Sequence, residues 1–146
     1  MTSAEIRSFI DRFVRAWESQ DPAKIGACYA DACEVVSPIF STLHGRAEVE
    51  KSFAALVKAF ALQRIRVDEV VISGDDSQRA AVVLNMQSTH VGEVFGMPAS
   101  GKKIERTIAF FLTLKDDAIV REQRIYDFTS MLMELGVLKV KPGHAH

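Results

Sequence analysis

The sequence lacks an excess of charge of either sign, since 18 lysine and arginine residues are balanced by 19 aspartate and glutamate residues. Nucleic acids and anionic membranes attract proteins with a basic face, so neither partner is expected. Long apolar runs are also missing, and charges interrupt the N-terminal segment MTSAEIRSFIDRFVRAW every few residues. We therefore expect no signal peptide, no membrane span and a cytoplasmic location.

Cysteine is scarce. Cys28 and Cys33 are spaced C-x4-C with no second pair, so they match no zinc pattern and supply no disulfide framework. Small buried side chains are the better interpretation. The tail KPGHAH places two histidines on a short polar terminus, which is a poor metal site. We therefore predict no metal site at these residues.

The segment GMPASGKK at residues 96–103 resembles a phosphate-binding loop in spacing, but it lacks the groups that such a loop uses to bind phosphate and magnesium. Lys103 stands where a magnesium-binding hydroxyl is needed, Pro98 has no amide donor, and the segment continues into strand-like sequence. We interpret it as a loop at the rim of a pocket, where Met97 could cover the mouth.

The length of 146 residues, with 48% apolar residues, suits one globular domain with a sizeable core. We assign residues 1–140 to this domain and 141–146 to a flexible tail. The first sixty residues are mostly helical in pattern. Thr2 with Glu5 predicts a capping box, and Asp21 before Pro22 predicts the start of a second helix.

The apolar period changes from about 3.6 to about 2 after Leu62. Four strand-like segments follow: RIRVDEVVIS, RAAVVLNMQSTHV, KIERTIAFFLTL and IVREQRIYDF. Short polar turns between some of them favour hairpins, so we predict a mostly antiparallel sheet with helices on one face, an α+β fold. Gly92, Gly96 and Gly101 near a strand end weakly suggest that the sheet is curved.

Several segments carry a family resemblance. YADACEVVSP, HGRAEVEKSFAAL, STHVGEVFGMPASGKKI and IVREQRIYDFTSMLMELGVL occur in an order and spacing that resemble SnoaL-like polyketide cyclases, within the NTF2-like superfamily. The resemblance implies a cone of N-terminal helices on a strongly curved, mostly antiparallel sheet, with an internal hydrophobic pocket. It also implies a homodimer through the sheet and no cofactor. The reaction is not fixed, because this scaffold hosts several chemistries.

Asp127 is the candidate catalytic residue. It matches the position at which the resembling cyclases carry a carboxylate that removes a proton from a carbon flanked by carbonyl groups. Apolar surroundings disfavour the charged form of a carboxylate, which makes it a better base. The alternative is that Asp127 caps the helix that follows. Thr129 and Ser130 stand nearer to that helix, so we expect one of them to be the cap.

Six further residues are candidates for substrate binding. His90 matches the family's T-H-x-G-E segment, although a lone histidine is more often structural. Gln123 and Ile125 share the face of Asp127 if the last strand is regular, and a bulge would replace them with Arg124 and Tyr126. The complete set is His90, Gln123, Ile125, Tyr126, Trp17 and Met97.

The sequence does not match the catalytic residues of two related enzyme classes. Ser37 stands before Pro38, where ketosteroid isomerases place a base, and Glu105 and Arg106 do not form the Arg-x-Asp of limonene epoxide hydrolases. We expect a cofactor-independent cyclase or isomerase that acts with a carboxylate base on a polyketide-like or other small carbonyl substrate. The alternative is a non-enzymatic, dimeric module that binds a small apolar ligand with carbonyl or hydroxyl groups.

Overall fold

A computed structural model describes residues 1–74, 78–139 and 141. The helices are α1 (Ser3–Ser19), α2 (Pro22–Gly26), α3 (Arg46–Ala59) and α4 (Phe128–Glu134). The strands are β1 (Tyr29–Val36), β2 (Leu43–His44), β3 (Phe60–Ile72), β4 (Arg79–His90), β5 (Lys103–Lys115) and β6 (Ala118–Ile125). This arrangement confirms the predicted α+β class. Residues 142–146, most of the predicted tail, lie outside the described residues.

Both predicted helix starts are confirmed. The Thr2 hydroxyl accepts a hydrogen bond from the Glu5 amide at 3.1 Å, and the Thr2 amide donates to the Glu5 carboxylate at 2.9 Å. Asp21 accepts from the Ala23 amide at 2.9 Å, with Pro22 in the first turn. These caps satisfy amides that have no partner inside their own helix.

The six strands form one sheet in the order β2-β1-β6-β5-β4-β3. The neighbours pair antiparallel except β1 with β6, which pair parallel. The four strands predicted from the alternating segments are thus joined in sequence, and β1 adds to the β6 edge through a contact between distant parts of the chain.

Curvature is associated with irregular pairing of β3. Its register against β4 shifts between Leu62 and Arg64 and again between Val67 and Glu69. Such bulges increase the twist and bend of a strand. Gly92, which the sequence suggested as a curvature signal, serves close packing instead: a β-carbon there would lie 2.2 Å from the Lys58 carbonyl oxygen.

The core lies between α1, α3 and the concave face of the sheet. Among the apolar residues of α1, α3 and the start of β3, Ile6, Phe9, Phe13, Phe53 and Phe60 are buried, and Trp17 and Leu56 are partly buried. Phe60 begins β3 rather than ending α3. The Trp17 and Phe53 rings meet edge to face with centroids 4.9 Å apart. None of the described helices is both long and apolar enough to cross a membrane.

Candidate functional site

A cavity of about 50 Å³ lies inside the cone, between α1, α3 and the strands β3 to β6. Its wall is mainly aliphatic and aromatic. The lining residues are Trp17, Gln20, Ile25, Ile39, Phe53, Leu56, Val57, Phe60, Leu62, Met86, Ser88, Arg106, Ile108, Arg124 and Tyr126. An apolar chamber with a few convergent polar groups is the common form of a small-molecule site.

One of these polar groups has no partner. The indole nitrogen of Trp17 is buried and makes no hydrogen bond to any described residue. Buried donors are nearly always paired, because leaving one unpaired costs the free energy of removing it from water. The amide of Gln20, by contrast, donates to the Phe60 carbonyl at 3.1 Å. Trp17 thus brings to the cavity wall a side chain whose donor has no partner among the described residues.

Arg124 lines the cavity and is held in place by two buried partners that lie behind the wall. Its Nε donates to Glu122, and the Tyr29 hydroxyl donates to the other carboxylate oxygen of Glu122 at 2.6 Å. The Arg124 guanidinium also lies 5.0 Å from the centre of the Phe53 ring. Glu122 and Tyr29 have no exposed surface, and Arg124 is 5% exposed. We call this group the Tyr29–Glu122–Arg124 triad.

The triad holds its charges internally. Burial and the negative charge of Glu122 raise the pKa of Tyr29 well above its ordinary value. Burial alone would lower the pKa of Arg124, but the charge and hydrogen bond of Glu122 outweigh burial and raise it. Tyr29 thus stays a neutral donor and Arg124 a cation, which leaves the triad with no net charge.

Arg106 is the other cation of the cavity, and its surroundings differ. Its guanidinium lies 5.3 Å from the centre of the Phe60 ring and 5.7 Å from that of Tyr126, and one of its nitrogens contacts the Met131 sulfur. It forms no ion pair within the described part of the chain. Burial lowers the pKa of Arg106.

Asp127 lies outside the cavity, at the start of α4. Its exposed side chain accepts a hydrogen bond from the Ser130 amide at 2.8 Å, so Asp127 caps the helix. The expectation that Thr129 or Ser130 would be the cap is wrong, because the residue before the helix has the geometry to accept this bond. Asp127 lines a separate outer groove, whose other residues are Glu105, Arg106, Thr107, Ser130, Met131 and Glu134. Of these groove residues, Arg106 is the one that also lines the cavity.

His90 is fully buried but does not line the cavity. Its Nδ1 lies 2.8 Å from the Ser100 hydroxyl and accepts from the Ser100 amide at 3.3 Å, and its ring packs against Phe60. Since Nδ1 accepts, the proton of the neutral ring lies on Nε2, which has no partner among the described residues. His90 thus joins the end of β4 to the loop before β5.

After a register shift against β5 that leaves Ile119 buried in the core, β6 alternates regularly from Arg121 onward, and Glu122 and Arg124 face inward. Gln123 and Ile125 pair with Phe111 and Ala109 on the outer face of the sheet, and Arg124 and Tyr126 line the cavity. Strand alternation holds as expected, but the face that Gln123 and Ile125 share with Asp127 is the outer one. Of the predicted substrate-binding residues, Trp17 and Tyr126 therefore line the same cavity, whereas Gln123 and Ile125 lie outside it.

Met97 lies in the loop between β4 and β5 and is absent from the cavity lining. Its amide and carbonyl both bond to Val94, at 2.8 Å and 3.0 Å, and its methyl group approaches Gly136. The loop therefore packs beside the end of α4, and its predicted contact with a ligand stays a prediction.

Three residues at or behind the cavity wall were not selected from the sequence, namely Tyr29, Glu122 and Arg106, and Arg124 was considered only for the case of a bulge in the last strand. A signal for two of them exists, because Glu122 and Arg124 are opposite charges two positions apart and therefore lie on one face of a strand. Charges that neutralise each other can occupy an inner face.

Comparison with known proteins supports one family. The family model described as SnoaL-like polyketide cyclase matches residues 7–135. No curated protein matches the sequence.

Solved structures share the fold at low identity. AclR, a candidate hydroxylase from Streptomyces galilaeus, is 22% identical, with a TM-score of 0.81 over 97% of this chain and 87% of AclR. TsrD from Streptomyces laurentii is 18% identical, with a TM-score of 0.79 over 94% of this chain and 99% of TsrD. A candidate SnoaL-like polyketide cyclase from Jannaschia sp. CCS1 is 16% identical, with a TM-score of 0.80 over 93% and 94% of the two chains.

Proposed function

Since the chain belongs to the SnoaL-like polyketide cyclase family, we propose that it binds a mostly apolar small molecule with carbonyl or hydroxyl groups inside the cone. The ligand's apolar body packs against the aliphatic and aromatic wall of the cavity. Its oxygen accepts a hydrogen bond from the indole nitrogen of Trp17. Binding needs neither a metal nor a nucleotide.

The unpaired Trp17 donor is the observation that carries this proposal. A buried N–H without an acceptor is costly, and an acceptor oxygen from a ligand removes that cost. Ser88 and Tyr126 also line the cavity, and both carry hydroxyl groups that can donate or accept. An apolar wall with these few polar groups favours a ligand that carries one or two oxygens on a hydrocarbon body.

The ligand must widen the cavity. A volume of about 50 Å³ holds only a few water molecules, so an aromatic ring needs the lining side chains to move. Besides Trp17, four partly exposed lining residues lie outside the sheet, after α1, in the β1–β2 loop and in α3: Gln20, Ile39, Leu56 and Val57. They form the part of the wall whose movement exposes the least core, so we assign the entrance to them.

The lone tryptophan provides a direct test. Acetophenone has an apolar ring and one carbonyl, and ethylbenzene has nearly the same shape without oxygen. In a nitrogen–proton correlation spectrum, acetophenone is expected to move the single Trp17 indole signal downfield, because a new hydrogen bond deshields the proton. Ethylbenzene should produce a smaller shift. Absence of any change with either compound at millimolar concentration would reject the proposal.

A matched pair of variants locates the site. Leu56→Phe enlarges a side chain in the cavity wall, whereas Leu43→Phe makes the same change at a partly buried position in β2, outside the wall. We expect Leu56→Phe to weaken acetophenone binding and Leu43→Phe to leave it unchanged. Equal weakening by both variants would argue against this cavity as the site.

A second candidate is a cofactor-independent cyclase or isomerase with Asp127 as its base. Arg106 favours it, since this side chain lines both the cavity and the groove that contains Asp127. In this mechanism Asp127 removes a proton from a carbon beside the ligand's carbonyl, and Arg106 stabilises the enolate oxygen. Asp127 must first leave the Ser130 amide, which it now caps.

Proton exchange tests this candidate without a known substrate. Catalysed removal of methyl protons from acetophenone in heavy water would appear as deuterium uptake. A catalytic Asp127 predicts that Asp127→Asn lowers the uptake rate by about 10² to 10⁴, because asparagine keeps the cap but cannot accept the proton. Uptake that is equal in both proteins, or no faster than in buffer, would favour the binding module.

The homodimer stays a prediction, and the outer face of the sheet is where we propose it. Val71, Phe111 and Ile125 are 54%, 39% and 51% exposed there, although they are apolar. A second copy of the chain would cover them, since sheets with two apolar faces need two covers. Light scattering at micromolar concentration measures the mass, and a monomer would contradict the dimer.

A further inference from the structure

We infer that the cavity selects an anion: a small molecule with an apolar body whose carboxylate or enolate oxygen binds the guanidinium of Arg106. This inference rests on the proposed function, because it assigns a ligand class to the same cavity. It goes further in stating the charge of the ligand and the residue that recognises it.

The charge balance of the cavity wall is the first argument. Two arginines and no carboxylate are among the residues that line it. Arg124 is already neutralised by Glu122, which lies behind the wall with no exposed surface. Arg106 has no ion pair in the described chain, and although the charge of Glu134 acts on it from the groove, no carboxylate faces it among the described residues that line the cavity.

The immediate contacts of Arg106 are the second argument. Its guanidinium lies between the rings of Phe60 and Tyr126 and contacts the Met131 sulfur. A thioether is a weak acceptor, and aromatic faces attract a cation only modestly. An oxygen anion forms shorter, charge-assisted hydrogen bonds with a guanidinium and is therefore a much better partner.

The nearby carboxylates determine the side from which the anion approaches. Glu105 forms an ion pair with Arg64 at 3.8 Å, and Asp127 accepts from the Ser130 amide. Both line the outer groove beside Arg106, together with Glu134. These three carboxylates repel an anion on the groove side. The cavity side has no carboxylate in its described lining, so the anion reaches Arg106 from within.

Carboxylates and enolates share the required chemistry. Each delocalises one negative charge onto oxygen, and each can be part of a flat molecule whose remaining atoms are apolar. The low-dielectric wall around Arg106 strengthens their attraction to the cation. A neutral amide or ester of the same shape keeps the apolar contacts but loses the charge-assisted bond.

Matched ligand pairs test the inference. Benzoate is compared with benzamide, and the enolate of 1,3-cyclohexanedione with its neutral methyl enol ether, by isothermal titration at neutral pH. We expect at least one anion to bind about tenfold more tightly than its neutral partner, as a charge-assisted bond should give. The pair that shows the preference identifies the ligand as a carboxylate or an enolate.

Variants assign the preference to a residue. Arg106→Met should weaken the anion far more than its neutral partner and so remove the preference, whereas Arg106→Lys should keep part of it because the charge remains. Arg15→Met, at an exposed position of α1, removes the same charge from the surface and serves as the control. A loss of preference in Arg15→Met would mean that net charge, and not Arg106, is responsible.

The outcomes separate this inference from the proposed function. If neutral and anionic ligands bind equally well, the anion inference is overturned and the proposed function stands. If no ligand of either pair binds and acetophenone also leaves Trp17 unaffected, both are overturned. A preference that survives Arg106→Met would overturn the assignment to this residue.

Discussion

Two arginines of one cavity have opposite surroundings. Arg124 projects from β6 and forms a buried triad with Glu122 and Tyr29, whereas Arg106 projects from β5 between two rings and a thioether. A buried charge whose counter-ion lies two residues away on the same strand contributes to the stability of the fold. A buried charge without a counter-ion is available to bind a ligand. Changes to either arginine and its neighbours test this difference.

The largest effect should come from Glu122→Gln. The change leaves Arg124 positively charged in an apolar interior without an anion, and breaking a buried ion pair in this way costs about 3–5 kcal/mol. Denaturation by urea measures the free energy of unfolding. We expect the urea concentration at the midpoint of unfolding to fall by a large amount. The slope of the unfolding free energy against urea concentration should stay similar.

Glu34→Gln is the matched control for that experiment. Glu34 pairs with Arg121 at 3.5 Å, and both side chains are nearly half exposed. Exposed pairs contribute about 0–1 kcal/mol, so this change should have little effect. Equal losses in the two variants would contradict the triad as a stabilising unit. Adding Arg124→Met to Glu122→Gln should recover part of the stability, since no unpaired charge then remains.

Tyr29→Phe should give a smaller loss than breaking the Glu122–Arg124 ion pair. The Tyr29 hydroxyl donates to Glu122 at 2.6 Å, and its removal leaves a buried carboxylate oxygen with one partner fewer. Leaving such a group unsatisfied costs about 1–3 kcal/mol. Tyr126→Phe, beside Arg106, is the comparison, because Tyr126 is partly exposed and its hydroxyl bonds to the Ser37 side chain, which carries no charge. We expect thermal unfolding to separate the two, and an equal fall in Tm would contradict this contrast.

Local patterns predicted most of the fold. The capping box at Thr2, the start of α2 at Asp21, and the four alternating strands follow from spacing and turn chemistry and are present. The parallel pairing of β1 with β6 could not be predicted in this way. It joins residues about ninety positions apart, as in Tyr29 with Ile119, and no local pattern specifies such a contact.

The inward face of β6 shows where sequence reasoning ends for the site. Alternation places Arg124 opposite Ile125, and hydrophobicity alone would turn Ile125 inward. The structure does the reverse, because Glu122 neutralises Arg124 on the inner face and leaves Ile125 about half exposed. The ion pair between Glu122 and Arg124 therefore outweighed the hydrophobicity of Ile125 in deciding which face turns inward. Gln123 and Ile125, which were predicted to contact a ligand, lie outside the cavity.

Asp127→Ala tests a residue on the outer side of Arg106 and should have a smaller effect than either triad change. Asp127 caps α4 through the Ser130 amide, and loss of an N-cap costs about 1 kcal/mol. Asp127→Asn keeps an acceptor oxygen and should be nearly as stable as the unmodified protein. If asparagine destabilises the protein as much as alanine, measured by urea denaturation, the carboxylate's charge and not its capping bond is important.

Arg106→Met should have the smallest effect on stability and therefore sharpens the comparison of the two arginines. The change removes a partly buried cation that has no ion pair with the described residues, which is favourable, and also removes its contacts with the Phe60 and Tyr126 rings, which is unfavourable. A cation–π contact contributes about 0.5–1 kcal/mol at partly exposed sites, so the two contributions nearly cancel. We expect the free energy of unfolding to change by less than about 1 kcal/mol, within the range typical of surface substitutions.

Arg124→Met, the same change at the triad, leaves Glu122 buried without its cation and should cost about 3–5 kcal/mol. Parallel urea titrations of the two variants measure the difference directly. Equal losses would mean that Arg106, like Arg124, is held as part of the architecture, and its role in selecting an anionic ligand would then lose its main support.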